Sequence, residues 1–101
     1  MITGKLSSGF KFEVDETVTD EWDFVKAIGL TESKKVSESI YGMTKIIEML
    51  LGKDGEQNLV DFIKKKNNGK CTQKMMSDAI IEMFNIIKDE KEGKNSETSP
   101  E

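Results

Sequence analysis

Apolar residues near the start of the chain alternate with polar ones. Ile2, Gly4 and Leu6 form one set, Phe10, Phe12 and Val14 the other, with Ser7-Ser8-Gly9 between them. Period-two alternation marks a half-buried strand, and a short connection with a glycine able to take positive φ marks a hairpin. Residues 2–14 therefore predict a two-stranded ribbon, and GKLSSGFKFEVDE, residues 4–16, carries it into the acidic start of the next element. Its second strand turns Phe10, Phe12 and Val14 to one face and Lys11 and Glu13 to the other. A lone hairpin is barely stable in water, so the apolar face needs helices or a neighbouring subunit behind it.

After the ribbon the period changes to that of a helix. Asp15 reads as a helix start, with Val18, Trp22, Val25 and Ile28 at helical spacing, Phe24 beside them, and Gly29 as the stop. Trp22 is the expected core anchor of this helix. A second helix begins around Ser33 or Lys34 and carries Val36, Ile40, Met43, Ile47, Leu50 and Leu51, helped by Tyr41 and Ile46. It ends at Gly52, and Lys53-Asp54-Gly55 reads as a turn. A third helix spans about 56–66 with Leu59, Phe62 and Ile63 buried. Lys64-Lys65-Lys66 suits its negative C-terminal end, and Asn67-Asn68-Gly69 stops it. Thr72 caps a last helix running to about 89 or 90, filled by Met75, Met76, Ala79, Ile80, Met83, Phe84, Ile86 and Ile87. That arc is wider than one seam needs.

From residue 89 to 101 no apolar side chain occurs except the ring of Pro100, so this tail is expected to be disordered. The expected fold is mostly α with a small N-terminal β-hairpin (α+β). About four helices surround one core within a single domain, 1–88, followed by the polar tail 89–101.

Composition narrows the function. The chain has 101 residues, 36% apolar and 34% charged, with net charge −4. A protein that grips nucleic acid normally carries basic excess, so a nucleic-acid partner is not expected. No apolar run approaches the roughly 20 residues that span a bilayer, and Met1 to Lys5 lack the character of a signal peptide. A cytoplasmic location and no membrane partner are expected. There is no histidine and one cysteine, Cys71, which removes the commonest general base and ordinary zinc sites. No phosphate-binding glycine motif or calcium loop occurs. No enzyme, catalytic residue, metal or cofactor is expected.

Six methionines in 101 residues is a surplus, and all but Met1 lie on predicted helices. Methionine fills cores, and it also suits surfaces that adapt to variable partners. Both readings fit the spacing. In the second, Met75, Met76, Met83 and Phe84, with Phe10 and Phe12 of the ribbon, contact another chain's amphipathic segment.

The opening ITGKLSSGFKFEVDE, then Asp20-Glu21-Trp22, then EMLLG ending at Gly52, then a last helix with a short Ser/Pro tail, resembles the tail assembly chaperones of long-tailed phages and prophages of Gram-positive bacteria. The resemblance runs along nearly the whole chain. It implies a non-catalytic protein of the host-cell cytoplasm, absent from the mature virion. Such a protein binds and solubilises the tape measure protein during tail morphogenesis. It implies self-association into a homo-oligomer, for which the ribbon is a candidate contact. It also implies a longer, frameshifted form that recruits tail-tube protein, and Lys94-Asn95 is compatible with a slippery A-AAA-AAC heptamer. No family motif maps onto a binding site residue by residue. The alternative is a small helical DNA-binding regulator. It rests on the lysines between 64 and 74 around Asn67-Asn68-Gly69, with net charge and the absence of arginine against it.

Overall fold

The structure, a computed structural model, describes residues 1–96, with side chains through Glu92. Two strands, β1 (Ile2–Lys5) and β2 (Lys11–Val14), are followed by a short 3-10 turn at Val18–Asp20. Four helices complete the fold: α1 (Trp22–Thr31), α2 (Val36–Leu51), α3 (Lys53–Lys66) and α4 (Gln73–Ser96). The mostly helical α+β architecture with an N-terminal hairpin is the one the periodicity predicts.

The strands pair antiparallel, with Ile2 opposite Val14 and Lys5 opposite Lys11. The hairpin closes as expected: Leu6 N–H donates to the Phe10 carbonyl at 2.8 Å, and Gly9 sits at φ 104. Ile2, Leu6, Phe12 and Val14 are buried, while Lys5, Lys11 and Glu13 are exposed. The helices supply the backing. β1 lies over α4, β2 lies over α2, and the Phe10 ring meets Phe62 of α3 edge-on, centroids 5.4 Å apart. At the turn, Glu82 of α4 accepts hydrogen bonds from the Ser7 backbone N–H and from the Ser7 hydroxyl, the latter at 3.2 Å.

Asp15 does not start α1. Its carboxylate accepts from the Thr17 backbone N–H at 2.9 Å and the Thr17 hydroxyl at 2.8 Å, closing a local turn. Those two bonds hold the Asp15 carboxyl below the usual carboxylate range, the backbone bond contributing most. The helix proper begins only at Trp22, and the delay changes which residues face inward. Phe24 and Ala27 take the core positions at 0% and 1% exposure, whereas Trp22 is 70% exposed and Val25 is exposed too. Trp22 is therefore a surface residue and not the core anchor. Gly29 lies on the exposed side of α1 and does not end it. The helix runs on to Thr31, whose hydroxyl donates to the Ile28 carbonyl at 2.6 Å.

α1 and α2 form the tightest helix pair, and Gly42 sets their distance. A β-carbon on Gly42 would lie 2.6 Å from the Ala27 carbonyl oxygen and 2.9 Å from the Leu30 β-carbon. The buried stripe of α2 is Gly42, Ile46, Ile47 and Leu50. The N-terminal part of the expected stripe, Val36 and Ile40, is exposed, as is Tyr41. Gly52, at φ 82 and ψ 174, joins α2 to α3 by itself, a conformation that favours glycine. Lys53-Asp54-Gly55 is thus the first turn of α3 and not a loop, with Asp54 and Glu56 at the positive helix end. Leu59 and Ile63 are buried as the spacing predicts. Asn68 (φ 58) and Gly69 (φ 84) then stop the helix. The Thr72 hydroxyl accepts from the Met75 N–H at 3.1 Å and caps α4.

α4 is longer than its apolar content suggests, continuing through Ser96. The helix thus takes in residues 89–96, and residues 97–101 lie outside the described residues. Lys91 is one reason the helix persists. Its ammonium donates to the Thr19 hydroxyl at 3.0 Å and lies 3.7 Å from the Asp20 carboxylate. Its stem is half-covered, so the tie is made by a long side chain laid along the protein.

Three outcomes are expected. Phe12→Ala removes a buried ring and costs about 3–5 kcal/mol of unfolding free energy, measured by urea denaturation. Trp22 fluorescence emits at the wavelength of water-exposed indole in the native state and shifts little on unfolding; a blue native spectrum would contradict the exposed position. Because folding depresses the Asp15 pKa, its ionised form stabilises the fold at neutral pH, and the gain is lost as pH falls through the depressed pKa. Asp15→Ala should lower the melting temperature at neutral pH, and the gap from wild type should close in acid.

Candidate docking groove

α4 packs on the ribbon but meets α2 only sparingly. An apolar groove lies along α4, between it and α1, α2 and α3. Three separate concavities make it up. The first, about 360 Å³, lies between Ile40, Met43 and Ile47 of α2, Val60 and Lys64 of α3, and the start of α4 at Cys71 to Met76. The second, about 210 Å³, lies between Ser39, Met43 and Ile46 and the Gln73, Ser77, Ile81 and Phe84 side of α4. The third, about 330 Å³, runs between Thr19, Phe24 and Ile28 and the far part of α4 at Phe84, Ile87, Lys88 and Lys91. Met43 and Gln73 are common to the first two sections, and Phe84 to the last two. Neighbouring sections therefore share a lining side chain, and Phe84, edge-on to Phe24, stands between the last two. From Gln73 to Glu92 the helix rises about 30 Å at 1.5 Å per residue.

The local sequence explains which side of α4 opens to it. Met76, Ile80, Met83 and Ile87 repeat at i, i+4, i+7 and i+11. Of these, Ile80, Met83 and Ile87 are buried. One step around the helix, Ser77, Ile81, Phe84 and Lys88 repeat with the same period, and this row faces the groove. Phe84 is half-buried, edge-on to Phe24 at 5.6 Å between centroids, and Ile81 is 54% exposed. Across the gap Ile40 is 45% exposed. Val36, on the same face one turn earlier, is 65% exposed. Apolar side chains standing in water on both banks are what a docking surface needs, since their burial would drive association.

The six candidate contact residues divide between groove and core. Met76 and Phe84 line the groove. Phe12 and Met83, at 6% and 0% exposure, are packed in the core. Phe10 and Met75 are half-buried against the core, Phe10 through its contact with Phe62. Their spacing could not show this, because a core seam and a docking seam share one period. The residues missed are Ile81 and the exposed start of α2. Ile81 carried a signal, since it adjoins Ile80 and falls outside the row of Met76, Ile80, Met83 and Ile87.

Polar chemistry in the groove is sparse. Lys64 and Glu56 stand at one end, and Lys88, Lys91 and Glu92 at the other. Cys71 is half-buried at the wide end. Burial pushes its thiol pKa up against the opposing pull of Lys64, so it stays protonated and weakly nucleophilic. Among the described residues, no three His, Cys, Asp or Glu side chains converge on a point that could hold a metal ion. The lysines between 64 and 74 do not present one common surface. Lys64 turns to the groove, Lys66 lies over the Phe62 ring at 5.6 Å, and Lys74 pairs with Asp78 at 3.1 Å. No helix among the described residues is long and apolar enough to cross a membrane. In comparisons with known proteins, the chain matches no family model, no curated protein and no solved structure.

Proposed function

We infer that the protein is a non-catalytic phage tail assembly chaperone whose groove holds an amphipathic helical segment of the tape measure protein. The open apolar groove along α4 is the observation that carries this reading. Its concavities follow α4 from Gln73 to Glu92, and Ile40 and Ile81 offer exposed apolar area there, with the half-buried Phe84 between. The half-buried Met43 and Met76 offer side chains that re-pack around different client turns. The likeness of ITGKLSSGFKFEVDE and EMLLG to this family's sequences supports the same reading. Holding a client this way needs no reaction. It covers apolar surface that would otherwise aggregate, and it releases the client when tail-tube subunits compete for the same surface. In this reading the protein acts in the host cytoplasm, and a longer frameshifted form recruits the tube protein.

Co-expression with the cognate tape measure protein tests the proposal. The wild-type chain should keep the client soluble and co-purify with it. Ile40→Asp and Ile81→Asp place charge on the two banks and should abolish both effects without loss of helicity by circular dichroism. Trp22→Ser, exposed but outside the groove, should leave them intact. A client kept soluble by both groove variants would remove the groove as the binding site. A client that the wild-type chain neither solubilises nor binds would remove the function.

A further inference from the structure

The third concavity differs from the other two in charge and in what lies across it. Two ammoniums, Lys88 and Lys91, and one carboxylate, Glu92, line it, whereas Lys64 and Glu56 balance in the first and the second has no charged side chain. Its inner wall is apolar: Phe24 and Ile87 are buried, and Ile28 and Phe84 are half-buried. Lys91 on α4 and Thr19 on the segment before α1 stand on opposite sides of it and bond to each other at 3.0 Å. The Lys91 side chain therefore crosses the concavity as a bar.

The bar is weakly held. Among the described residues its one other partner is the Asp20 carboxylate, 3.7 Å away and 76% exposed. An ion pair so exposed contributes little, and a second carboxylate can replace it at small cost. Of the hydrogen bonds and ion pairs made by the side chains of residues 88–92, only those of Lys91 leave the helix. Lys88 pairs with Glu92, 4.0 Å away within α4. Exchanging the partner of Lys91 therefore breaks no other such tie between this turn and the domain.

We propose that Lys91 is an exchangeable bar: when a client segment fills the third concavity, a carboxylate of that segment takes the Lys91 ammonium from Asp20. The occupant is an apolar side chain with an Asp or Glu one helical turn away on the same face. The inference rests on the client reading of the groove and adds which client segments it accepts. Two physical effects select them. Covering the concavity removes water from Lys91, and a cation stripped of water needs a partner. A client carboxylate supplies one, and the charge-assisted bond strengthens as water leaves. A segment apolar throughout would bury the ammonium against carbon, and one with a lysine there would add like charge to Lys88 and Lys91.

An aromatic anion, anilinonaphthalene sulfonate, probes the free chain by its fluorescence, and an arm with the tape measure protein runs beside it. Two substitutions break the same internal pair and are expected to act in opposite senses. Asp20→Asn releases the bar and should tighten dye binding by up to about fivefold. Lys91→Met keeps the stem, removes the partner of the anion and should weaken binding about tenfold or more. Lys91→Arg should retain binding. Lys26→Met, exposed beside Asp23, Tyr41 and Lys45 outside the groove, should leave it unchanged. The same order should hold for the tape measure protein retained on immobilised chain at rising salt. If Lys91 only ties α4 in place, Asp20→Asn and Lys91→Met shift binding in one direction, and that result would overturn the proposal. So would a wild-type chain that binds no dye, or binding indifferent to Lys91→Met at unchanged helicity. A wild-type chain that binds the dye in this order but not the tape measure protein would overturn the client reading and leave the bar standing.

Discussion

The ribbon laid across the helices is the contact on which the other features depend. β1 rests on α4 and β2 rests on α2, while α2 and α4 meet each other only sparingly. The ribbon therefore spans a gap as a strut would. It contributes Ile2, Leu6, Phe12 and Val14 to the shared core, and Glu82 ties its turn to α4 through Ser7. Further along α4, Lys91 reaches Thr19 and Asp20 on the segment leading into α1. Tied at Glu82 and at Lys91 and left open along one side, α4 forms one wall of a groove instead of closing a four-helix bundle. A small helical protein begins with two strands because they bridge helices that do not pack fully on one another.

Stability follows from the same arrangement. No polar or charged residue is buried among the described residues, and no buried side-chain polar atom there lacks a partner. The ion pairs sit on the surface, where each contributes about 0–1 kcal/mol. Apolar burial therefore carries the fold, and a chain of 101 residues has little of it to spare. Exposed Ile40, Ile81 and Val36 are apolar area that the domain leaves outside its own core. Ile40 and Ile81 line neighbouring concavities beside α4, and Val36 lies one turn before Ile40 on the same helix face.

Methionine illustrates how one residue type serves two ends. Met83 is fully buried and packs like any core residue. Met43 and Met76 are half-buried on opposite walls of the groove, where an unbranched, polarizable side chain can follow a partner's contour. Met75, a single position from Met76, lines none of the three groove sections. The surplus is thus a composition-level clue whose meaning differs from helix to helix.

Much of the architecture was legible in the residues themselves. The hairpin, its two faces, the Thr72 cap and the Asn67-Asn68-Gly69 stop all follow from local rules of alternation, capping and left-handed backbone. The four helices follow from the 3.6-residue period. Errors arose where a local signal had two outlets. Asp15 satisfies a turn as readily as a helix start, and that choice rotated Trp22 out of the core. Gly52 alone sufficed to reverse the chain, which released Lys53 to Gly55 into α3. The lack of apolar residues after Lys88 set no end to α4, because Lys91 anchors through its stem and ammonium. By itself, then, the sequence determined the elements and the apolar face of each. Only the tertiary structure decided which apolar faces meet each other and which remain open, because periodicity records that a face is apolar and not what will cover it.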